Sequence, residues 1–573
     1  MKLQIEKHHL ELLLALHPRL ASLNEQLRFG NKVQVLFDQL SPAELSSLAE
    51  IYHQTGGAFL QQAALLSTLQ KVVMNDSSRY HADQLEMLLP DIARYLLDDA
   101  IRGWMFQVLG SGRTLAYLIT RIDYTPPGEE EAGRILIELK ANSKGKISIE
   151  SLIIRSKDLT EKTIAEIFIS KGYLKETPEL IASYDEAAGR YFDWRARYGE
   201  QFSGWGTGLY ADDPSASHRN NDWTRKNTVV LSSAGGACRL VNDENILSER
   251  ALSLDASGDI LGKYLRKAGK SMRYDSKAEQ AVEAFKDEIP AGQFTELPIH
   301  GYILMFHLEL HHHVWVHVDD IQPYLYQPEL KQKLILPPEQ TDLIDILTAE
   351  MDMLMDDIVA GKSGGTTVLC AGPAGVGKTL TAEVYSEIIK RPLYRVHSGQ
   401  LGLNVAEMEK TLKDILIRAQ RWGAVMLIDE ADVYIKRRND NLASNAVVGV
   451  FLRVLEYFNG LLFLTTNRVD DIDEAIISRC IAMIRYHAPN NADRRKIWRV
   501  MTAQFSLPLN DDLIAELSDL FPGATGRDIK GLTKLVAKFC QQKQLTPNLE
   551  VFKRCSVFRG LEIVEIAESN NYT

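Results

Sequence analysis

Residues Gly372, Pro373, Ala374, Gly375, Val376, Gly377, Lys378 and Thr379 match the spacing GxxxxGK[ST], with Leu380 completing the set. The glycines let a backbone turn so that successive N–H groups point at phosphate oxygens, and the start of a helix adds partial positive charge. At this spacing Lys378 would reach the β- and γ-phosphates of ATP, and the Thr379 hydroxyl would ligate Mg²⁺. The flanks have the periodicity that such a loop needs. TTVLC reads as a short apolar strand before it, and LTAEVYSEIIK as a helix after it. Two other glycine clusters, Gly110-Ser111-Gly112 and Gly204-Trp205-Gly206-Thr207-Gly208, lack the lysine and read as turns.

A second constellation lies about 50 residues on. The apolar run VMLIDE ends in Asp429 and Glu430. A strand of this kind delivers both carboxylates at its C-terminal edge, where ligands sit in open α/β sheets. Asp429 would hold Mg²⁺ through its water shell, and Glu430 would polarise an attacking water. Asp429-Glu430-Ala431-Asp432 also spells the helicase DEAD signature, but no second recA-like half is visible in the remaining chain.

The elements that must position these groups follow from the wider pattern. The chain has 573 residues, 45% hydrophobic and 25% charged, the make-up of folded globular protein in about three to four domains. Its formal net charge of −11 does not point to nucleic acid through bulk charge. Five widely spaced cysteines without a CxxC pair argue against a zinc ribbon or a disulfide framework and fit the reducing cytoplasm. No run of 18 apolar residues offers a membrane span. Residues 1–100 read as a helical segment, beginning with an amphipathic helix, and Ser41-Pro42-Ala43-Glu44 has the form of a helix start. Residues 101–330 alternate in TLAYLITRIDY, GRILIELKA, KISIESLIIR and NTVVLSS, which predicts an α+β domain. Segment 201–224 reads as an exposed loop. From 335 to 490 short apolar strands alternate with helices, which predicts an α/β core with a parallel sheet; 491–573 turns helical again.

Taken together, the stretch from 335 to 570 resembles an AAA+ ATPase module close to the AAA branch: a P-loop NTPase core with a C-terminal helical lid. The resemblance implies further roles. Asn467, in LLFLTTN, stands at the sensor-1 position and would orient water between Glu430 and the γ-phosphate. Arg479, in IDEAIISRC, stands at the arginine-finger position and would act on the nucleotide of a neighbouring subunit. Arg527, in GATGRDIKGL, stands at the sensor-2 position of the lid. Stretches such as RWGAVMLIDEADVYIKRR are similar to a group of single-module AAA proteins of fungi and bacteria with a large N-terminal region. The family implies a homo-hexameric ring. Peptide-threading members carry a pore aromatic, yet Ser398–Ala406 holds none; the aromatic position falls near Asn404, with Leu401, Leu403 and Val405 as apolar alternatives. Ser478-Arg479-Cys480 is similar to the SRC motif of clamp loaders, and Arg527 stands where the AAA branch often has a small residue.

Three other clusters carry weaker signals. His307, Glu309, His311, His313 and His317 would share one face of a single strand, and a half-buried strand explains them better than a metal site. Lys436-Arg437-Arg438 reads as a solvated basic turn. Trp194, Trp205 and Trp223 read as packing residues rather than a base-stacking platform. The expected function is Mg²⁺-dependent ATP hydrolysis that remodels a bound protein or complex. A nucleic-acid-associated ATPase and a nucleotide-switched scaffold are the alternatives.

Overall fold

The computed structural model describes residues 2–56, 59–74, 78–128, 132–211, 228–233, 236–244, 293–349, 365–401, 405–438, 442–456 and 458–563. Its C-terminal half is built on a five-stranded sheet, ordered Leu393–His397, Val425–Asp429, Leu461–Thr466, Thr366–Ala371, Ala482–Arg485. All neighbours run parallel. The three central strands are apolar along nearly their whole length because both faces are covered. From Thr366–Ala371 the chain passes through helix Lys378–Ile388 and lands three places away, at the sheet edge. It later returns to put Leu461–Thr466 beside its starting strand. This change of direction opens a crevice at the carboxyl ends of the strands.

Helices Asn491–Gln504, Asp511–Leu520, Gly526–Lys543 and Leu549–Ser556 follow. They close over their own core around Trp498, Leu517, Phe521, Leu532 and Phe552. Three of them start at an asparagine whose side chain accepts a backbone N–H in the first turn, and the fourth, Gly526–Lys543, at Thr525 with Asp528 in a capping box.

The N-terminal half differs from the sequence expectation in three places. Residues 1–100 are not wholly helical: Lys2–Glu6 and Lys32–Leu36 pair as antiparallel strands, and the helix Lys7–Leu16 starts only after the first of them. Apolar residues alternate there, Leu3 with Ile5 and Val33 with Val35, and the latter two are buried between exposed neighbours. The hydrophobic core also runs unbroken across residue 100, joining Leu48 and Leu88 to Phe106, Ile137 and Leu174. That core lies under an antiparallel sheet ordered Lys146–Arg155, Arg134–Ser143, Thr114–Thr125, Trp104–Val108, Tyr173–Lys175. Second, the expected loop at 201–224 begins with two strands, Gln201–Gly204 and Thr207–Ala211, and Phe202 is fully buried; its remainder from 212 lies outside the described residues. Third, the histidine-rich stretch is a hairpin rather than one strand. Tyr302–His307 pairs with His312–His317, setting His307 opposite His312 and Tyr302 opposite His317. These strands belong to a second antiparallel sheet with its own core around Phe202, Leu240, Met305 and Val316. Among the described residues no helix is long and apolar enough to cross a membrane.

Candidate functional site

The crevice holds most of the groups singled out from sequence. Gly375 and Gly377 take φ of +81° and +104°, values that side chains adopt rarely, so the loop depends on glycine at both. Space matters as well: a Cβ on Gly375 would stand 2.6 Å from Thr525 Oγ1, and one on Gly372 2.4 Å from the Tyr486 carbonyl. Helix Lys378–Ile388 starts directly from Gly377. Its first residue turns back over the loop. Lys378 Nζ donates to the carbonyls of Gly372 (2.8 Å) and Pro373 (2.5 Å) and to Asn467 Oδ1 (3.0 Å). Burial lowers the Lys378 pKa; Asp429 raises it and Arg527 lowers it further, with burial prevailing.

Asp429 is the hub on the opposite wall. Its Oδ1 accepts from Thr379 Oγ1 at 3.0 Å and from Thr465 Oγ1 at 2.5 Å. Its Oδ2 accepts from Arg395 Nη2 at 2.6 Å. Burial works against ionisation of this carboxyl, but the Thr465 hydroxyl, Arg395 and Thr379 outweigh it, and the pKa lies below the ordinary aspartate value. Glu430 is exposed and sits at φ +54°, and its backbone N–H donates to Thr465 Oγ1 at 3.0 Å. A non-glycine residue in this region of backbone space is strained, here just where the strand ends. Asp432 ties the same turn to the next strand by accepting from the Thr466 hydroxyl and, at 3.2 Å, from the Asn467 N–H.

Lys378 with Asn467 and Thr379 with Asp429 therefore form two hydrogen-bonded pairs, clustered side by side through the adjacent residues 378 and 379. Arg527 arrives from the lid: its backbone N–H donates to the Gly375 carbonyl at 3.2 Å, so the first turn of Gly526–Lys543 rests on the phosphate loop. Arg479 does not join. Its guanidinium is tied to Glu456 and, at 3.0 Å, to the Ala475 carbonyl. Sequence reasoning passed over two residues of the cluster, Thr465 and Arg395. Both stood in stretches read as strands, where a polar side chain among apolar neighbours near the carboxyl end was the available signal. An oxygen-only pair such as the Thr379 hydroxyl and the Asp429 carboxylate, 3.0 Å apart, suits Mg²⁺.

A family profile described as "ATPase family associated with various cellular activities (AAA)" matches residues 368–487. The chain carries an AAA ATPase domain. Its curated relatives include Fidgetin-like protein 1 of Drosophila melanogaster, 28% identical over 191 residues, or 32% of this chain and 36% of that one. Proteasome-activating nucleotidase 1 of Haloferax volcanii is 26% identical over 32% of this chain and 49% of its own length. Spastin of Sus scrofa is 24% identical over 35% and 34%. The chain thus spans less than half the length of each of these relatives. A chain in the solved structure of an E. coli MS115-1 HORMA:CdnC:Trip13 complex aligns over 42% of this chain and 93% of its own, at 19% identity and a TM-score of 0.33, too low to carry an argument. The AAA domain coincides with the parallel sheet and its crevice.

The remaining clusters sit elsewhere. Among the described residues no group of three His, Cys, Asp or Glu side chains is placed to hold a metal ion. Within the histidine hairpin, His313 Nε2 instead lies 2.8 Å from Asp243 Oδ2, and His317 Nδ1 accepts from the Asp319 N–H. Arg438 pairs with Asp473 at 2.9 Å. Trp194 packs near Phe202, and Trp205 is partly exposed; Trp223 lies outside the described residues. In the stretch Ser398–Ala406, Leu401 is buried and Val405 packs against the AAA core, while Leu403 and Asn404 lie outside the described residues.

Proposed function

We propose that this protein hydrolyses ATP to ADP and phosphate and that a ring of its copies uses the reaction to remodel a bound protein or complex. One observation carries the reading: two hydrogen-bonded pairs, Lys378 with Asn467 and Thr379 with Asp429, lie side by side at the carboxyl ends of adjacent parallel strands, beneath a glycine loop. In this reading the loop N–H groups and Lys378 bind the β- and γ-phosphates, Lys378 exchanging its loop carbonyls for phosphate oxygens. Glu430 accepts the proton of the attacking water, and Asn467 orients that water. Mg²⁺, held by Thr379 and through water by Asp429, would offset the charge that develops on the phosphates.

Arg479 acts in trans. Glu456 holds it on this chain's own surface, and in a ring it would reach the neighbour's γ-phosphate. Arg527, brought to the loop by the lid, links phosphate contacts to lid movement. A homo-hexamer is the assembly that the AAA domain favours. Proteins as targets are supported by one relative named for activating a proteasome. All five cysteines are free thiols, in keeping with a reducing cytoplasm.

Two variants test the reading. Lys378→Ala is expected to lose binding of a fluorescent ATP analogue. Glu430→Gln should keep that binding and lose hydrolysis by roughly a hundredfold or more. Native hydrolysis in Glu430→Gln would sink the assignment of the base.

A further inference from the structure

Strand Leu393–His397 brings to the site a charge that the motifs do not contain. Arg395 pairs in register with Leu427, two residues before Asp429 on the adjacent strand. Residues two apart on a strand share a face, so the guanidinium and the carboxylate meet on one side of the sheet. Nη2 donates to Asp429 Oδ2 at 2.6 Å, and Nη1 stands 3.5 Å from Glu383 Oε1. Glu383 lies one turn beyond Thr379 on helix Lys378–Ile388, so the metal-side hydroxyl and this second carboxylate point from one helix face. Arg395 Nε is buried with no hydrogen-bond partner. A guanidinium with an orphaned donor is held here by two carboxylates rather than by a complete set of bonds, and it can tilt between them at little cost in geometry.

The other oxygen of Asp429 is already taken by two hydroxyls, so Oδ2 is the oxygen that Arg395 and an incoming cation contest. Two cations on one carboxylate repel each other, more strongly in a half-buried crevice than in water. We propose that Arg395 is a positioning residue that serves as the counter-ion of Asp429 while no metal is bound and tilts onto Glu383 when Mg²⁺ enters with ATP. This rests on the ATP-site reading above and adds to it a protein cation that sets how strongly nucleotide binding depends on Mg²⁺.

The test measures affinity for a fluorescent ATP analogue across free Mg²⁺ concentrations and in EDTA, without reference to turnover. Arg395→Met removes the competitor and should lower the half-saturating Mg²⁺ by about three- to tenfold. Glu383→Gln removes the alternative partner and should raise it by a similar factor. Arg395→Lys keeps the charge and should stay within about twofold of native, and affinities in EDTA should change less than about twofold throughout. A loosened fold would weaken Mg²⁺ dependence in the same direction for both variants. Shifts in the same direction, or none, with native binding intact, overturn the role of Arg395 alone. If the native protein binds no analogue at any Mg²⁺ concentration, the ATP-site reading falls and this inference falls with it.

Discussion

Thr465 shows how much one hydroxyl can hold at the scale of a residue. Its Oγ1 donates to Asp429 and accepts from the Glu430 N–H, so it fixes the Asp429 carboxylate and the backbone turn at Glu430, the groups proposed above for Mg²⁺ and for the attacking water. Thr465→Val keeps the shape and strips both bonds. Losing both bonds is expected to cost about 1–3 kcal/mol in urea unfolding. Hydrolysis should fall about tenfold or more while analogue affinity changes little, because the phosphate loop itself is untouched. Native kcat in this variant would reduce Thr465 to a packing residue. Its importance was not legible in LLFLTTN: adjacent threonines at a strand end look alike, and only the pairing with Val425–Asp429 shows which one faces the carboxylates.

Among the elements, the second antiparallel sheet meets the AAA core through a polar and aromatic contact. Asp243 Oδ1 accepts from Trp422 Nε1 at 2.9 Å and from the Tyr198 hydroxyl at 3.2 Å. Phe306 lies against Tyr394 and Trp422, with Arg418 4.7 Å above its ring. Next to this network, Glu244 is buried, and burial pushes its carboxyl up to about 7 against the Leu304 N–H and Arg195, which favour ionisation. The folded pKa lies above the ordinary value of 4.5, so the protonated acid is the stable partner. Stability linked to this group is fully present below pH 4.5 and is lost as pH rises through 7. The loss amounts to about 3 kcal/mol at most. Glu244→Gln should therefore unfold at higher urea than native protein at pH 8.5, with the difference vanishing near pH 4.5. A pH-independent difference would show that Glu244 titrates alike in the folded and unfolded chain and would overturn the raised pKa.

On the scale of the whole molecule, the trans role proposed for Arg479 makes assembly the deciding property. Glu430→Gln with ATP and Mg²⁺ should be trapped in its assembled state, and its native mass is expected near six chains. Arg479→Ala should bind the analogue normally and lose hydrolysis by roughly a thousandfold. A mass of one or two chains would leave Arg479 with no neighbouring nucleotide to act on, and a nucleotide-switched scaffold would become the better description. Normal hydrolysis by Arg479→Ala would remove the argument for a ring from the site.

Much of this protein can be read locally. Spacing alone marks Gly372–Thr379, since a phosphate loop is a contiguous run whose glycines answer to backbone geometry and whose lysine and threonine follow at once. The apolar strands of the parallel core are equally plain, because burial on both faces leaves their sequences nearly free of polar residues. Alternation gave up the long antiparallel strands Thr114–Thr125, Arg134–Ser143 and Lys146–Arg155 for the same kind of local reason. What needed the tertiary structure were relations between distant segments. Short strands such as Lys2–Glu6 and Lys32–Leu36 carry too few residues to show a period until they pair. The histidine run split into a hairpin because the register that buries Phe306 and Val314 requires a turn between them. Arg395 met Asp429, and Asp243 met Trp422, across 34 and 179 residues of chain. Such meetings depend on strand order and sheet docking, which no local pattern encodes.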